Sequence, residues 1–174
     1  MFFSAVSAVA AVRRYFIAMR MVTTHSEEET AALGRDLAAS LAAGDVVLLF
    51  GDLGAGKTAF VRGLAEGLGV DRDEVSSPTF TLVQEYRGGR LTLFHVDLYR
   101  LDDAREIDDL GLEEIASDGV LAVEWAEKLE SVARLKAPPS LTAVAVRIEH
   151  GNDDTRAIQI TNSPIHQLTN YSDR

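Results

Sequence analysis

Eight consecutive residues, Gly51-Asp52-Leu53-Gly54-Ala55-Gly56-Lys57-Thr58, carry the spacing G-x-x-x-x-G-K-[ST] of a phosphate-binding loop. Each residue type has a physical task there. Glycines let the backbone curl until successive N–H groups point inward and line a concave anion site. A helix beginning at the end of the loop adds its unpaired N–H groups, that of Ala59 among them, and the positive end of its dipole. Lys57 then reaches the β- and γ-phosphates of a nucleotide, and the Thr58 hydroxyl is placed to bind Mg²⁺. A chain of this length matches the pattern by accident under about one time in a hundred at ordinary residue frequencies. The bland alternative is a glycine-rich turn that binds nothing.

The flanking elements must hold that loop in place. Val46-Val47-Leu48-Leu49-Phe50 is an apolar run ending at Gly51, and Phe60, Leu64 and Leu68 follow at helical spacing. Strand, glycine loop and helix are the setting the motif requires. Upstream, Ser26-Glu27-Glu28-Glu29 reads as a capping box that opens a helix with the stripe Leu33, Leu37, Leu41, ended by Gly44. Downstream, Gly67 and Gly69 break the helical pattern, and residues 71–74 read as a charged surface turn. Residues 82–86 and 91–97 predict a β-hairpin turned at Gly88-Gly89. Residues 102–118 carry eight acids and one base, Arg105, and read as mostly helical.

A second buried strand is expected at Val120–Glu124, a helix at 125–135 and a rigid break at Pro138-Pro139. Residues 141–148 and 155–160 predict another hairpin around Gly151-Asn152-Asp153-Asp154, and the polar tail from Asn162, residues 162–174, is expected to be loose. No internal repeat or interdomain linker is visible. The pattern predicts one α/β domain over residues 22–161, a P-loop NTPase-like three-layer fold with parallel core strands and antiparallel hairpin additions.

Bulk composition narrows the function classes. The 47% apolar and 25% charged content is that of a globular domain, and no apolar span reaches membrane-crossing length. With no cysteine, disulfides, thiolate metal sites and a cysteine nucleophile are excluded. A net charge of −10 argues against gripping nucleic acid unaided, so RNA would come through a partner. Residues 1–21 hold Arg13, Arg14 and Arg20 and no acid, and the first two arginines follow the apolar run, the wrong order for a secretory signal. They read as an extension outside the domain. An upstream start, with the functional chain beginning at Met19 or Met21, is preferred over an amphipathic or disordered extension or a targeting segment.

Hydrolysis asks more than a phosphate cradle: a metal-holding acid and a group that positions water. Two carboxylates stand where buried strands end. Glu124 closes the run Val120-Leu121-Ala122-Val123, and Asp97 closes Leu93-Phe94-His95-Val96. Such strands deliver their last side chains to the phosphate edge of a parallel sheet. The alternative for either acid is capping of the next helix.

Three further segments accompany the loop: Ser77-Pro78-Thr79-Phe80-Thr81, His95-Val96-Asp97-Leu98-Tyr99-Arg100-Leu101 and Glu124-Trp125-Ala126-Glu127-Lys128. Together the four motifs resemble the TsaE family over roughly residues 22–160. The resemblance implies the ATPase component of the bacterial machinery that makes threonylcarbamoyladenosine at position 37 of tRNAs. It implies TsaB and TsaD as partners, tRNA reached only indirectly, no membrane and a cytoplasmic setting. It makes Lys57 the phosphate lysine, Thr58 and Glu124 the Mg²⁺ contacts, and Asp97 the residue needed for ATP turnover, orienting water or the metal's shell.

By the same resemblance, residues 77–81 form a switch-like segment near the γ-phosphate. There the Thr79 and Thr81 hydroxyls either touch phosphate or water, or serve the packing of a loop stiffened by Pro78. Trp125 lies near the nucleotide or is a plain core tryptophan. His95 reads as a satisfied strand histidine before a ligand. The implied mechanism is Mg²⁺-dependent ATP hydrolysis driving a conformational cycle. No arginine finger stands within the motifs, so turnover is expected to be slow alone and faster in complex.

Competing readings fare less well. A GTPase would carry a base-reading N-K-x-D, which is absent, and the D-x-x-G match at Asp108-Asp109-Leu110-Gly111 falls inside the acidic helical stretch. A small-molecule kinase would need an acceptor pocket and lid arginines that the chain does not announce. A nucleotide-gated binding module without hydrolysis could dispense with Asp97 and Glu124. The acidic stretch itself is either a docking face or a solvated helix.

Overall fold

The computed structural model describes residues 19–131 and 142–164. The expected break at Pro138-Pro139, residues 1–18 of the extension and the tail after residue 164 lie outside the described residues. Strand alternation decides the architecture. In β2 (Val46–Phe50) every residue is buried: Val46, Leu48 and Phe50 join one core, Val47 and Leu49 another. A strand apolar on both faces has to be covered on both.

β2 sits in a seven-stranded sheet with β1 (Arg20–Thr24), β3 (Val83–Tyr86), β4 (Leu93–Asp97), β5 (Val120–Glu124), β6 (Thr142–His150) and β7 (Arg156–Pro164). The order is β1-β7-β6-β2-β5-β4-β3. The central strands β6, β2, β5 and β4 run parallel, while β3, β7 and β1 pair antiparallel with their neighbours. α1 (Glu27–Ala38) and α2 (Lys57–Leu68) cover one face through Leu33, Leu37, Phe60, Leu64 and Leu68. α3 (Ala104–Asp108), α4 (Leu112–Ser117) and a 3₁₀ turn (Ala126–Ser131) cover the other through Ile107, Leu112, Ala116, Ala126 and Leu129. The result is the three-layer P-loop-like α/β fold that the sequence predicts.

α1 opens on its capping box in modified form. Ser26 Oγ accepts the Glu29 N–H at 3.1 Å, but the Glu29 carboxylate accepts from His25 N–H at 2.7 Å, one residue before the expected donor. The helix stops at Ala38, not at Gly44. Its last turn tightens, with Ser40 N–H donating to Leu37 O and Leu41 N–H to Ala38 O, and Leu41 stays buried outside the helix. Arg90 also donates to the carbonyls of Ala38 and Leu41.

Gly67 does not break α2 either. A side chain at Gly63 would collide with the backbone of Ala31, and one at Gly67 with that of Arg35, so these glycines let α1 and α2 approach closely. α2 ends at Gly69, whose φ of 89° sends its N–H back to Ala65 and Glu66.

Other departures have equally local causes. The acidic stretch 102–118 is two short helices split at Gly111, whose φ of 61° ends the helical run. No helix starts at Trp125, whose own φ of 60° is left-handed; a 3₁₀ turn follows, and residues 132–135 of the expected helix lie outside the described residues. β7 runs past Ile160 to Pro164, pairing Asn162 with Val144 and Ser163 with Ala143, so the expected loose tail does not begin at Asn162. β1 pairs Arg20 with Ile160, so a strand crosses the boundary drawn at residue 21.

Candidate functional site

β2 feeds the chain directly into the glycine loop. Gly51, Gly54 and Gly56 take φ values of 142°, 78° and 112°, which side-chain-bearing residues rarely adopt. Gly56 is also the N-cap of α2 and makes no side-chain cap, so no capping side chain competes for the first N–H groups of the helix. Behind the loop, Arg156 of β7 packs where a Gly56 side chain would begin, its Nε 3.1 Å from that position, while its Nη1 donates to Asp154 O at 2.8 Å.

Lys57 is buried at 4% exposure. Its Nζ donates to Gly51 O at 2.6 Å and Asp52 O at 2.9 Å and sits 3.9 Å from the centre of the Trp125 ring. Burial pulls the ammonium below the ordinary lysine pKa, and the carboxylates of Glu124, Glu127, Asp97 and Asp52 oppose that pull. The Trp125 ring is aimed by its left-handed backbone, a conformation costing a non-glycine residue about 1–2 kcal/mol. Tyr99 packs against the same ring, centroids 4.9 Å apart.

Alternation also explains why the acids meet the loop. Leu93 of β4 and Val120 and Ala122 of β5 belong to the core under α1 and α2. Asp97 and Glu124 are two or four residues further along the same faces and pair with each other in the parallel register. They therefore emerge beside the start of α2. Thr58 Oγ1 donates to Glu124 Oε1 at 2.8 Å, and His95 Nε2 lies 2.8 Å from that same oxygen. Asp97 Oδ2 accepts from Ser77 Oγ at 3.0 Å and Thr79 Oγ1 at 2.7 Å, while Oδ1 accepts the Tyr99 N–H at 2.8 Å. The segment 77–79 is thus tied to β4 through one carboxylate.

A cavity of about 380 Å³ opens between these groups. Of the residues singled out in the sequence, Leu53, Gly54, Gly56, Lys57, Thr58, Ala59, Thr79, Asp97, Glu124 and Trp125 line it. Gly51 and Asp52 contribute carbonyls to Lys57, and Ala55 is buried beneath the loop. Thr81 is exposed and does not line the cavity. Among the described residues no cluster of three or more His, Asp or Glu side chains could cage a metal by itself. Thr58 and Glu124 are hard oxygen donors bonded to each other on the cavity wall. That set suits an ion such as Mg²⁺, which keeps most of its water and leans on one or two protein oxygens plus phosphates.

The family model described as "Threonylcarbamoyl adenosine biosynthesis protein TsaE" matches residues 24–158. The chain belongs to the TsaE family. It is 45% identical over 139 residues to the tRNA threonylcarbamoyladenosine biosynthesis protein TsaE of Bacillus subtilis, covering 79% of this chain and 82% of that one. The TsaE of a Nostoc species is 42% identical over 149 residues, covering 82% and 86% of the two chains. The crystal structure titled as Bacillus subtilus YdiB superposes with a TM-score of 0.65 at 34% identity, covering 87% of this chain and 91% of that chain.

Three cavity residues of this TsaE-family chain carry no expectation from sequence: Tyr99, Glu27 and Arg62. Tyr99 stands two residues after Asp97 in a quoted motif, which was its only signal. Glu27 enters the sequence reading only as part of the capping box and Arg62 not at all; their 3.9 Å ion pair forms because α1 and α2 lie side by side. Among the described residues no helix of this TsaE-family member is long and apolar enough to cross a membrane.

Proposed function

We propose that the chain binds ATP with Mg²⁺ and hydrolyses it to drive a conformational cycle of the tRNA threonylcarbamoyladenosine machinery. The observation that carries this reading is the convergence of Lys57, Thr58, Glu124 and Asp97 on one cavity at the mouth of a left-handed glycine loop. The loop and the first turn of α2 hold the phosphates by N–H donors, and Lys57 supplies the positive charge. Thr58 and Glu124 would hold the metal, which when bound neutralises charge on the phosphoryl oxygens. Asp97 is the other carboxylate that a parallel strand delivers to the cavity, and its role is to orient the attacking water or the metal's hydration shell.

The partners in this reading are TsaB and TsaD, with tRNA engaged through them. Leu53, Phe80 and Tyr99 are exposed large apolar or aromatic groups near the cavity mouth, which supports a partner surface there. The compartment that goes with tRNA modification is the cytoplasm.

The test compares ATP and GTP hydrolysis by the wild-type chain and Asp97→Asn, each with and without the two partner proteins. ATP should be preferred, turnover alone should be slow, and partners should raise it. Asp97→Asn keeps the acceptor for Tyr99 N–H, so nucleotide binding should persist while turnover falls by about 10²-fold or more. Equal loss of binding and turnover in that variant would overturn the role of Asp97. Hydrolysis by the isolated chain at roughly 1–10 per second would overturn partner dependence. Binding without any hydrolysis in complex would instead favour a nucleotide-gated binding module.

A further inference from the structure

His95 is wholly buried, at 0% exposure, between Leu93 and Asp97 on one face of β4 and beside Ala122 of β5. Its Nε2 lies 2.8 Å from Glu124 Oε1, and its Nδ1 has no partner among the described residues. A buried imidazole with half its polar capacity unpaired is costly, and an apolar side chain would fill the same volume without that cost. Packing therefore does not account for a histidine here. Tyr86 packs nearby, ring centroids 6.5 Å apart, but its hydroxyl bonds the backbone of Ser76 and offers His95 nothing.

The geometry points to His95 as a positioning residue for the Glu124 carboxylate, an inference that rests on Glu124 serving the metal as proposed above. A carboxylate has no hydrogen to give, so Nε2 is the donor of this bond. Two donors, His95 Nε2 and Thr58 Oγ1, meet on the single oxygen Oε1 and neither uses Oε2. One donor permits the carboxylate to swing about the bond; two from different elements, β4 and α2, fix its plane. The histidine reaches Glu124 diagonally across the parallel register, since its own direct partner on β5 is Ala122. His95 thus acts from behind the site, touching neither phosphate nor metal, and holds Oε2 ready for the metal's inner or outer shell. Groups that orient a metal-holding side chain commonly matter by 10–100-fold in affinity, as an order of magnitude.

The experiment measures Mn²⁺ binding to the ADP-loaded chain by electron paramagnetic resonance, alongside ADP affinity without metal and the thermal midpoint. His95→Leu should weaken Mn²⁺ binding by about tenfold or more while leaving metal-free ADP affinity unchanged. His95→Gln places an amide N–H near the position of Nε2 and should restore most of the loss. In a Glu124→Gln background His95→Leu should have no further effect on Mn²⁺. Wild-type Mn²⁺ affinity in His95→Leu, or a loss equally large in the Glu124→Gln background, overturns the inference. If His95→Leu does not fold, unchanged Mn²⁺ affinity in His95→Asn, whose shorter amide cannot reach Oε1, overturns it, and a loss supports it. Failure of the wild-type complex to bind Mn²⁺ at all instead overturns the metal role of Glu124 on which the inference stands.

Discussion

Lys57 has to reconcile burial with charge. Its ammonium is held by two carbonyls and an aromatic face, and burial lowers its pKa below 10.5. Phosphates raise that value again on binding, so the complex holds the proton to higher pH than the free chain does. Nucleotide affinity should be full below the depressed pKa of the free chain. It should then fall as pH rises through that value, up to about tenfold per pH unit, with the onset below the ordinary lysine pKa. Trp125, the sole tryptophan, lies against Nζ and supplies the fluorescence signal for the titration. Lys57→Met should weaken binding by about 10–100-fold through loss of charge-assisted hydrogen bonds. Affinity that stays flat through pH 10.5 would deny the lysine its place on the phosphates. The loop residues around Lys57 were legible from spacing alone because glycine tolerance and helix-start chemistry are local. The seat of Trp125 was not: a left-handed conformation is uncommon outside glycine, and no neighbouring residue type announces it.

Between elements, the closest fit is that of α1 on α2. Gly34, Gly63 and Gly67 stand where a side chain would strike the facing helix backbone. Gly63→Ala gains about 1 kcal/mol of helix propensity yet forces the helices apart, because the atoms met are backbone and cannot rotate away. A net destabilisation of about 2 kcal/mol is expected from denaturant unfolding, and a neutral or stabilised variant would contradict the close packing. From sequence, Gly67 reads as a breaker because the facing helix is invisible there. β2, α2, β5 and the β3–β4 hairpin were legible from their periodicity. β1 was not, since Arg20, Met21 and Thr23 are exposed and only Thr24 is buried, leaving no pattern to read. The contact between His95 and Glu124 depends on the register of β4 against β5, which no local pattern specifies.

At the scale of the molecule, charge and topology divide the work. A net charge of −10 repels phosphate backbones, while the cavity concentrates N–H groups and one lysine on a few phosphates. The isolated chain should therefore not retain tRNA at about 0.15 M salt, and tRNA should comigrate with it only when the partner proteins are present. A filter-binding Kd for tRNA alone tighter than about 10⁻⁶ M would overturn the indirect engagement proposed.

Arg156 adds a point about what a minimal version of this protein must contain. All four motifs that carry the family resemblance lie between Gly51 and Lys128, so a shortened chain ending after the turn at Ala126–Ser131 would pass any inspection for them. It would also lack the guanidinium that fills the space behind Gly56, and the hairpin that carries it. The signature would be whole and the loop would have lost its buttress.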